Sequence, residues 1–227
     1  MLSDFKITVI GLGYVGLPLA LEFGKKIPTS GYDIDKNRIK DLKRSIDRNN
    51  EFTSNDFKNS KKINFYSNFD KIINSNIYIV TVPTPIKKNN KPDLSLVLKA
   101  CNIIAKKIKK NDIVVFESTV YPGATEEVFI PSIEKLSGLK GGKDFFYGYS
   151  PERINPGDKE KKISNILKIV SGSDAKTTNK LKHLYGSIVK AGIYTAENIK
   201  IAEAAKVIEN TQRDLNIALI NEFALIF

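Results

Sequence analysis

The stretch ITVIGLGYVGLPLALEF, residues 7–23, decides the fold of this chain. An apolar run typical of a buried strand is followed by glycines at the spacing GxGxxG and then by a segment typical of a helix. Gly11 allows a tight turn, Gly13 lets the backbone approach a pyrophosphate, and Gly16 permits close packing of the helix. The free N–H groups at the start of the helix can bind the anion. We therefore predict a Rossmann turn that binds a dinucleotide.

An acidic residue follows at the distance that this motif requires. Asp33 lies 22 residues after Gly11, in the second apolar stretch SGYDID. Its carboxylate can accept hydrogen bonds from both hydroxyls of a ribose, whereas a 2′-phosphate would meet a like charge. The sequence therefore favours NAD over NADP, although Arg38 would soften the exclusion of NADP.

Short apolar runs alternate with amphipathic segments along the rest of the chain, the pattern of βαβ units around a parallel sheet. Eight strands are predicted: FKITVI, SGYDI, INFY, IYIVTV, DIVVF, FFYGY, LKIVSG and GIYTA. Helices are predicted over 14–26, 36–44, 95–109, 124–136 and 175–188, with a longer one from about residue 196. The expected fold class is α/β, a Rossmann-like doubly wound parallel sheet followed by a long helix. We expect residues 1–196 to form an NAD-binding domain and residues 197–227 to form a separate helical element.

Composition argues against several classes of protein. The 227 residues are 41% hydrophobic, enough for one large domain, and the apolar runs fall far below the ~20 residues of a membrane span. The amino-terminal segment MLSDFKITVI lacks the basic and long apolar regions of a signal peptide. A single Cys101 and a lone His183 give neither a disulfide nor a metal-ligand cluster. We expect a cytoplasmic protein with no bound metal and no membrane association.

The formal charge of +11 raises a different possibility, that the chain binds nucleic acid. The lysines occur in scattered pairs, such as Lys25 with Lys26 and Lys106 with Lys107, and are mixed with Asn and Ile. A solvated surface explains this scatter better than a binding stripe does. We expect no nucleic-acid partner, and a basic nucleic-acid binder is kept as the weaker alternative.

Three further motifs follow predicted strands: TVPTP at 81–85, ESTVYPG at 117–123 and GYSPERINPGD at 148–158. Ligands of open α/β sheets bind outside the carboxyl ends of the strands. Thr84 and Thr119 can offer hydroxyls to the nicotinamide side of a cofactor. Glu152 and Arg153 would place a base and a guanidinium in the same crevice. Loop geometry explains any one of these proline-containing turns equally well, but the three together favour a site.

The last predicted helix carries Lys206, Asn210 and Arg213 at i, i+4 and i+7, within one narrow stripe. A solvated face is the simplest explanation, but the apolar neighbours of the stripe are expected to leave little surface for solvent. These neighbours are Ala204, Ala205, Val207, Ile208, Ile217 and Ile220. An amine, an amide and a guanidinium on a partly buried helix can polarise an oxyanion and hold a phosphate or carboxylate.

Five motifs, in their order and spacing, resemble the UDP-glucose/GDP-mannose dehydrogenase family: GLGYVGLPLA, VPTP, ESTVYPGAT, GYSPERINPGD and AEAAKVIENTQRDLNIALINE. The likeness covers the whole chain and is strongest to the bacterial UDP-N-acetylhexosamine 6-dehydrogenases of the Vi-polysaccharide and O-antigen type. It implies an NAD-dependent enzyme of capsule or O-antigen synthesis. Such an enzyme oxidises C6 of UDP-N-acetylglucosamine or UDP-N-acetylgalactosamine from alcohol to carboxylate, through an aldehyde and an enzyme thioester.

The resemblance also implies roles for individual residues. Contacts with the cofactor are implied for Tyr14, Val15, Asp33, Arg38, Thr84 and Thr119. The catalytic group comprises the base Glu152, Thr119 assisting it through water, and Lys206, supported by Asn210, which stabilises the C6 oxyanion. Substrate contacts are implied for Arg153, Ile154 and Arg213, in addition to Lys206 and Asn210.

The chain departs from the family pattern at its end. The family's nucleophilic cysteine and paired aspartate would come after Phe227, and Cys101 lies between apolar residues of a predicted helix, where it is expected to be a small buried hydrophobe. We therefore expect the C-terminal UDP-binding domain to be absent, the chain alone to be inactive, and its last helix to form a homodimer interface. A non-catalytic NAD sensor is the other alternative, although it leaves Glu152, Lys206 and Asn210 without a role.

Overall fold

The computed structural model describes residues 2–72, 74–153 and 163–227. All eight predicted strands are present, each within a residue or two of its expected place. They are β1 (Ile7–Ile10), β2 (Thr29–Tyr32), β3 (Ile63–Tyr66), β4 (Ile77–Val80), β5 (Ile113–Phe116), β6 (Phe146–Tyr149), β7 (Lys168–Gly172) and β8 (Ile193–Thr195). They form one sheet in the order β3-β2-β1-β4-β5-β6-β7-β8. The predicted α/β fold class is confirmed.

Seven α-helices occur in the described part of the chain. They are α1 (Gly16–Gly24), α2 (Lys36–Lys43), α3 (Ser54–Asn59), α4 (Ser95–Ala105), α5 (Ile130–Ser137), α6 (Ala175–Gly186) and α7 (Ile199–Ile226). A π-helical turn over Thr125–Phe129 leads into α5. Only the short, polar α3 was not predicted. None of the helices in these ranges is long and apolar enough to cross a membrane.

Contrary to the prediction from the sequence, the sheet is not parallel throughout, because the last two strands run in the opposite direction to the other six. Strands β1 to β6 run parallel, but β7 pairs antiparallel with β6, and β8 then runs parallel to β7. A parallel neighbour needs a crossover connection, usually a helix. Between β6 and β7 the described residues contain only a 3₁₀ turn, Ile163–Asn165, whereas α6 links β7 to β8.

Successive residues of a strand point to opposite faces of the sheet, and they contribute to two apolar cores, one on each face. Ile7, Val9, Ile77 and Ile79 lie in the core that includes residues of α1 and α6. Ile10, Tyr78, Val80 and Phe116 lie in the core that includes residues of α4, α5 and the start of α7. Burial on both faces explains why these strands read as continuous apolar runs rather than as alternating ones.

Helix α7 packs on the sheet only at its beginning. Its first turns contact β6 and β7, where Ile199, Ala202 and Glu203 are buried. Ala204 and Ala205 are half-buried, but the other apolar neighbours of the polar stripe are exposed: Val207, Ile208, Ile217 and Ile220. The expectation that these neighbours shield the stripe from solvent is therefore wrong for the single chain. None of the other described elements covers α7 beyond its first turns.

The topology defines where a ligand can bind. The chain winds outward from β1 through β2 to β3 and then returns to place β4 on the other side of β1. At such a reversal, loops leave neighbouring strands in opposite directions and open a crevice at their carboxyl ends. The turn after β1 and the loops after β4 and β5 therefore share one edge of the sheet.

Candidate cofactor and catalytic site

The glycine turn between β1 and α1 has the geometry that its sequence predicts. Gly11 has φ of +95°, which disfavours a side chain, and its N–H donates to the Tyr32 carbonyl at 2.9 Å. A Cβ on Gly16 would lie 1.8 Å from the Gly11 carbonyl oxygen, so only glycine lets helix and turn pack this closely. A Cβ on Gly13 would meet nothing within 4 Å. The space above Gly13 is therefore open to a ligand.

The start of α1 faces this open space. The helix begins at Gly16, and no side chain caps its N-terminus at Val15. The first N–H groups of a helix have no intrahelical partner and attract anions. Tyr14 is 51% exposed beside them. The turn thus offers N–H donors at the position where the dinucleotide motif requires a pyrophosphate.

Asp33 lies at the end of β2, beside the glycine turn. Its Oδ2 accepts from the Leu12 N–H at 2.8 Å and its Oδ1 accepts from the Asp35 N–H at 2.9 Å. These bonds fix the carboxylate, and each ionised oxygen can accept a further bond. A pair of ribose hydroxyls would fit this remaining capacity, and the negative charge would oppose a 2′-phosphate.

The structure shows Arg38 as a support of the turn. Its side chain is buried, with Nε donating to the Leu12 carbonyl at 3.1 Å and Nη1 paired with Asp47 at 2.8 Å. Nη2 is buried and has no hydrogen-bond partner among the described residues. An orphaned guanidinium nitrogen beside the turn is compatible with a ligand contact there. The cofactor contact implied for Arg38 stays a prediction.

Hydrogen bonds tie together the loops that follow β4 and β5. Thr84 Oγ1 donates to the Thr119 carbonyl at 2.6 Å, and Ser118 Oγ donates to the Val82 carbonyl at 2.6 Å. Tyr149, at the end of β6, donates its hydroxyl to the Ser118 carbonyl at 3.1 Å. The two threonines expected to face the nicotinamide are thus held side by side.

Glu152 contacts a buried group of charged residues that the sequence analysis did not predict. Lys168 Nζ lies 2.6 Å from Glu117 Oε2 and 3.5 Å from Glu152 Oε2, and the Tyr185 hydroxyl donates to the other oxygen of Glu117. Burial alone would lower the pKa of Lys168, but the two carboxylates outweigh it and raise this pKa. The ammonium group of Lys168 thus lies beside the carboxylate of Glu152.

The loop after β6 and the second turn of α7 meet around a cleft of about 160 Å³. It is lined by Pro151, Arg153, Ile169, Ala205, Lys206 and Glu209. Arg153 Nη2 lies 3.2 Å from Glu209 Oε1, and Lys206 Nζ lies 3.7 Å from Glu209 Oε2. Burial lowers the pKa of Lys206. Glu209, which sequence reasoning missed, thus joins the two predicted cations.

Not every predicted residue enters this cleft. Asn210 and Arg213 are exposed farther along α7, although Arg213 Nη2 reaches Glu209 Oε1 at 3.6 Å. Ile154 lies outside the described residues. Cys101 is fully buried in α4, and burial raises the pKa of its thiol to about 12. No group of three or more His, Cys, Asp or Glu side chains within the described ranges could hold a metal ion.

Known proteins are similar to this chain in sequence and in fold. The family model described as "UDP-glucose/GDP-mannose dehydrogenase family, NAD binding domain" matches residues 5–189. The chain belongs to this family. The resemblance found in its motifs is thereby confirmed, and the residues around the glycine turn fit the NAD that this domain binds.

Three members of the family illustrate the likeness. The UDP-N-acetyl-D-glucosamine 6-dehydrogenase of Pseudomonas aeruginosa is 54% identical over 226 residues, which are 100% of this chain and 54% of that protein. Protein CapL of Staphylococcus aureus is 55% identical over 97% of this chain and 52% of its own length. The solved UDP-D-ManNAc dehydrogenase of Pyrococcus horikoshii has a TM-score of 0.90 at 36% identity, over 97% of this chain and 53% of its own. This family member therefore spans about half the length of the relatives it matches.

Proposed function

We propose that this chain is the NAD-binding half of a dehydrogenase that oxidises C6 of a UDP-N-acetylhexosamine to a carboxylate. The observation that carries the proposal is the cleft in which Arg153 and Lys206 meet beside Glu152, at the edge of the sheet that also carries the glycine turn. Relatives named UDP-N-acetyl-D-glucosamine 6-dehydrogenase, at 52% and 54% identity, favour UDP-N-acetylglucosamine over UDP-N-acetylgalactosamine. The similarity to CapL supports a role in surface polysaccharide synthesis.

In this proposal the cofactor lies across the carboxyl edge of the sheet. Its pyrophosphate binds the N–H groups of Gly13, Tyr14 and Val15, and Asp33 accepts from the adenosine ribose. Thr84 and Thr119 orient the nicotinamide end. Two NAD molecules, bound there in turn, would each accept one of the two hydrides that C6 loses between alcohol and carboxylate.

The side chains around the cleft would supply the proton chemistry and the charge. Lys206 stabilises negative charge on the C6 oxygen, and its lowered pKa makes proton exchange easier than for an exposed lysine. Glu152 would act as a base on a water that Thr119 helps to position, and this water would attack the C6 carbonyl of the thioester, releasing the carboxylate and the thiolate. Asn210 supports Lys206, while Arg153, Ile154 and Arg213 contact the substrate.

We also propose that α7 forms the interface of a homodimer. Apolar side chains continue to its end, and many of them are exposed in the single chain: Leu215, Ile217, Leu219, Ile220, Phe223, Leu225, Ile226 and Phe227. A contiguous apolar surface on this scale is rare on monomers. The cytoplasmic location, the absence of a nucleic-acid partner and the division at residues 196 and 197 stay predictions.

The substrate can be tested by joining this chain to the part of a relative that lies beyond their shared region. We suggest a chimera that continues this chain with the remaining carboxyl-terminal residues of the Pseudomonas aeruginosa relative, followed by the absorbance of NADH. The proposal expects oxidation of UDP-N-acetylglucosamine by the chimera, its loss in the Lys206→Ala variant, and no sustained turnover by the 227 residues alone, whose single thiol is buried. A chimera that is folded and binds NAD but oxidises no UDP-sugar would contradict the proposed function.

A further inference from the structure

One buried carboxyl group has no role in the chemistry described so far. Glu203 lies on the second turn of α7 and is completely buried. Its Oε2 accepts from the Gly123 N–H at 2.6 Å, and its Oε1 accepts from the Thr125 N–H at 3.0 Å. Both oxygens of one side chain therefore bind the backbone of the turn that precedes α5, 78 to 80 residues earlier in the chain.

This turn is the far end of the loop that carries Thr119. The near end of the loop is fixed by the bonds that Ser118 and Thr119 make with the loop after β4. Gly123 adopts φ of +97°, so the backbone reverses at the point where Glu203 holds it. The segment that carries Thr119 is thus held at both ends, by the loop after β4 at one end and by α7 at the other.

Glu203 also lies close to Lys206 on α7. It precedes Lys206 by three residues, so the two side chains project from one side of the helix. A second and more exposed contact, between Lys200 Nζ and Glu127 Oε1 at 2.8 Å, joins the same helix to the same turn. Any shift of this turn relative to α7 would move Thr119 relative to Lys206.

A packing role alone would not favour a carboxyl group at this position. Burial raises the pKa of Glu203, which shows that its ionised form is costly there, and an apolar side chain would avoid that cost. An apolar side chain would, however, leave the N–H groups of Gly123 and Thr125 buried without acceptors. The carboxylate is suited to the one task of holding two neighbouring N–H groups at a fixed distance from α7.

We propose that Glu203 is a positioning residue that locks the Thr119 loop against α7 and thereby shapes the nicotinamide end of the cofactor site. This inference rests on the proposed function, in which Thr84 and Thr119 face the nicotinamide. Glu203 touches neither cofactor nor substrate. Its effect should therefore be confined to ligands that reach Thr119.

The test compares NAD with ADP, which shares the adenosine end but lacks the nicotinamide. Glu203→Gln keeps the size of the side chain, but its amide NH₂ must face one of the two N–H donors. Calorimetric titration of the purified chain should show the Kd for NAD rising about three- to tenfold and the Kd for ADP unchanged. Glu197→Gln is the matched control, because Glu197 is exposed two residues before α7 begins. It should change neither Kd.

A second variant tests whether Glu203 acts through the loop. Thr119→Ala should weaken NAD binding by itself, and adding Glu203→Gln to it should cost less than Glu203→Gln costs alone. The inference is overturned if Glu203→Gln leaves NAD binding unchanged, or if it weakens NAD and ADP equally, while Thr119→Ala weakens NAD alone. If NAD binds no more tightly than ADP to the unaltered chain, or if Thr119→Ala has no effect, the nicotinamide contacts of the proposed function fail together with the inference.

Discussion

At the scale of single residues, a buried carboxyl group shows how folding changes protonation. Asp112 precedes β5 with only 5% of its surface exposed, and its Oδ2 accepts from the Lys109 N–H at 2.8 Å. Burial raises its pKa from 3.8 to about 6. The native chain therefore retains a proton on Asp112 between these values, whereas the unfolded chain releases it.

This shift predicts how stability changes with pH. As pH rises from about 4 to about 6, the unfolded chain binds fewer protons than the native one at this site, so Asp112 lowers the free energy of unfolding. Asp112→Asn keeps the acceptor for the Lys109 N–H and should stabilise the chain by about 1 kcal/mol at neutral pH, after allowance for solvent screening, with no gain near pH 3. Urea unfolding at several pH values measures this. A variant that is equally destabilised at every pH would show that the shift is absent.

Lys168 gives a second prediction at this scale, because it neutralises a fully buried carboxylate. Lys168→Met leaves Glu117 without its cation and should lower the free energy of unfolding by about 3–5 kcal/mol. The double variant Lys168→Met with Glu117→Gln removes both charges and should recover much of this loss. Chemical denaturation of both variants decides the point. If the single variant were as stable as the unaltered chain, Lys168 would not be needed to neutralise Glu117.

At the scale of elements, the central strands β1, β4 and β5 could be predicted because each is an apolar run whose residues are all buried. The antiparallel direction of β7 could not be predicted. Strand direction depends on the connection after β6 and not on the residues of the strand itself. The helix stripe was predicted from spacing alone, and spacing does not tell whether a neighbour covers Ile217 or Ile220.

The candidate site shows the same limit. The glycine turn and Asp33 are local motifs, and their geometry agrees with the spacing in the sequence. Glu117, Lys168, Glu203 and Glu209 act through partners far along the chain: Glu117 meets Lys168 across 51 residues, and Glu209 meets Arg153 across 56. No periodicity or motif connects such pairs in one sequence. Only the order of the strands brings them to the same edge of the sheet.

Helix α7 provides the prediction at this scale. If its exposed apolar face forms a homodimer, Ile220→Lys should shift the chain from dimer toward monomer, because a charge would be buried in the interface. Leu136→Lys on α5 is the control, since Leu136 is a similarly exposed apolar residue, at 56%, on a different helix. Sedimentation equilibrium measures both. A monomer at high concentration before any substitution would contradict the proposed interface.

At the scale of the whole molecule, the sheet acts as a scaffold that gathers separate parts of one site along its carboxyl edge. In the proposed arrangement, the turn after β1 and Asp33 after β2 would bind the adenosine end of NAD, and the loops after β4 and β5 would bind its nicotinamide end. The loop after β6 and α7 line the cleft that contains Lys206. The chain is positively charged overall, at +11, so its net charge alone would favour the more anionic NADP. The proposal therefore assigns the preference for NAD to one residue, Asp33, whose carboxylate would oppose a 2′-phosphate.

The most direct test of this arrangement is calorimetric titration of NAD and NADP into the purified chain and its Asp33→Asn variant. Loss of a charge-assisted hydrogen bond predicts NAD binding weakened about ten- to a hundredfold in the variant, with its preference over NADP much reduced. Glu197→Gln, at an exposed carboxylate just before α7, should leave both affinities unchanged. Saturable binding of NAD that depends on Asp33 is the predicted result, and equal affinities for NAD and NADP that do not change in the Asp33→Asn variant would contradict it.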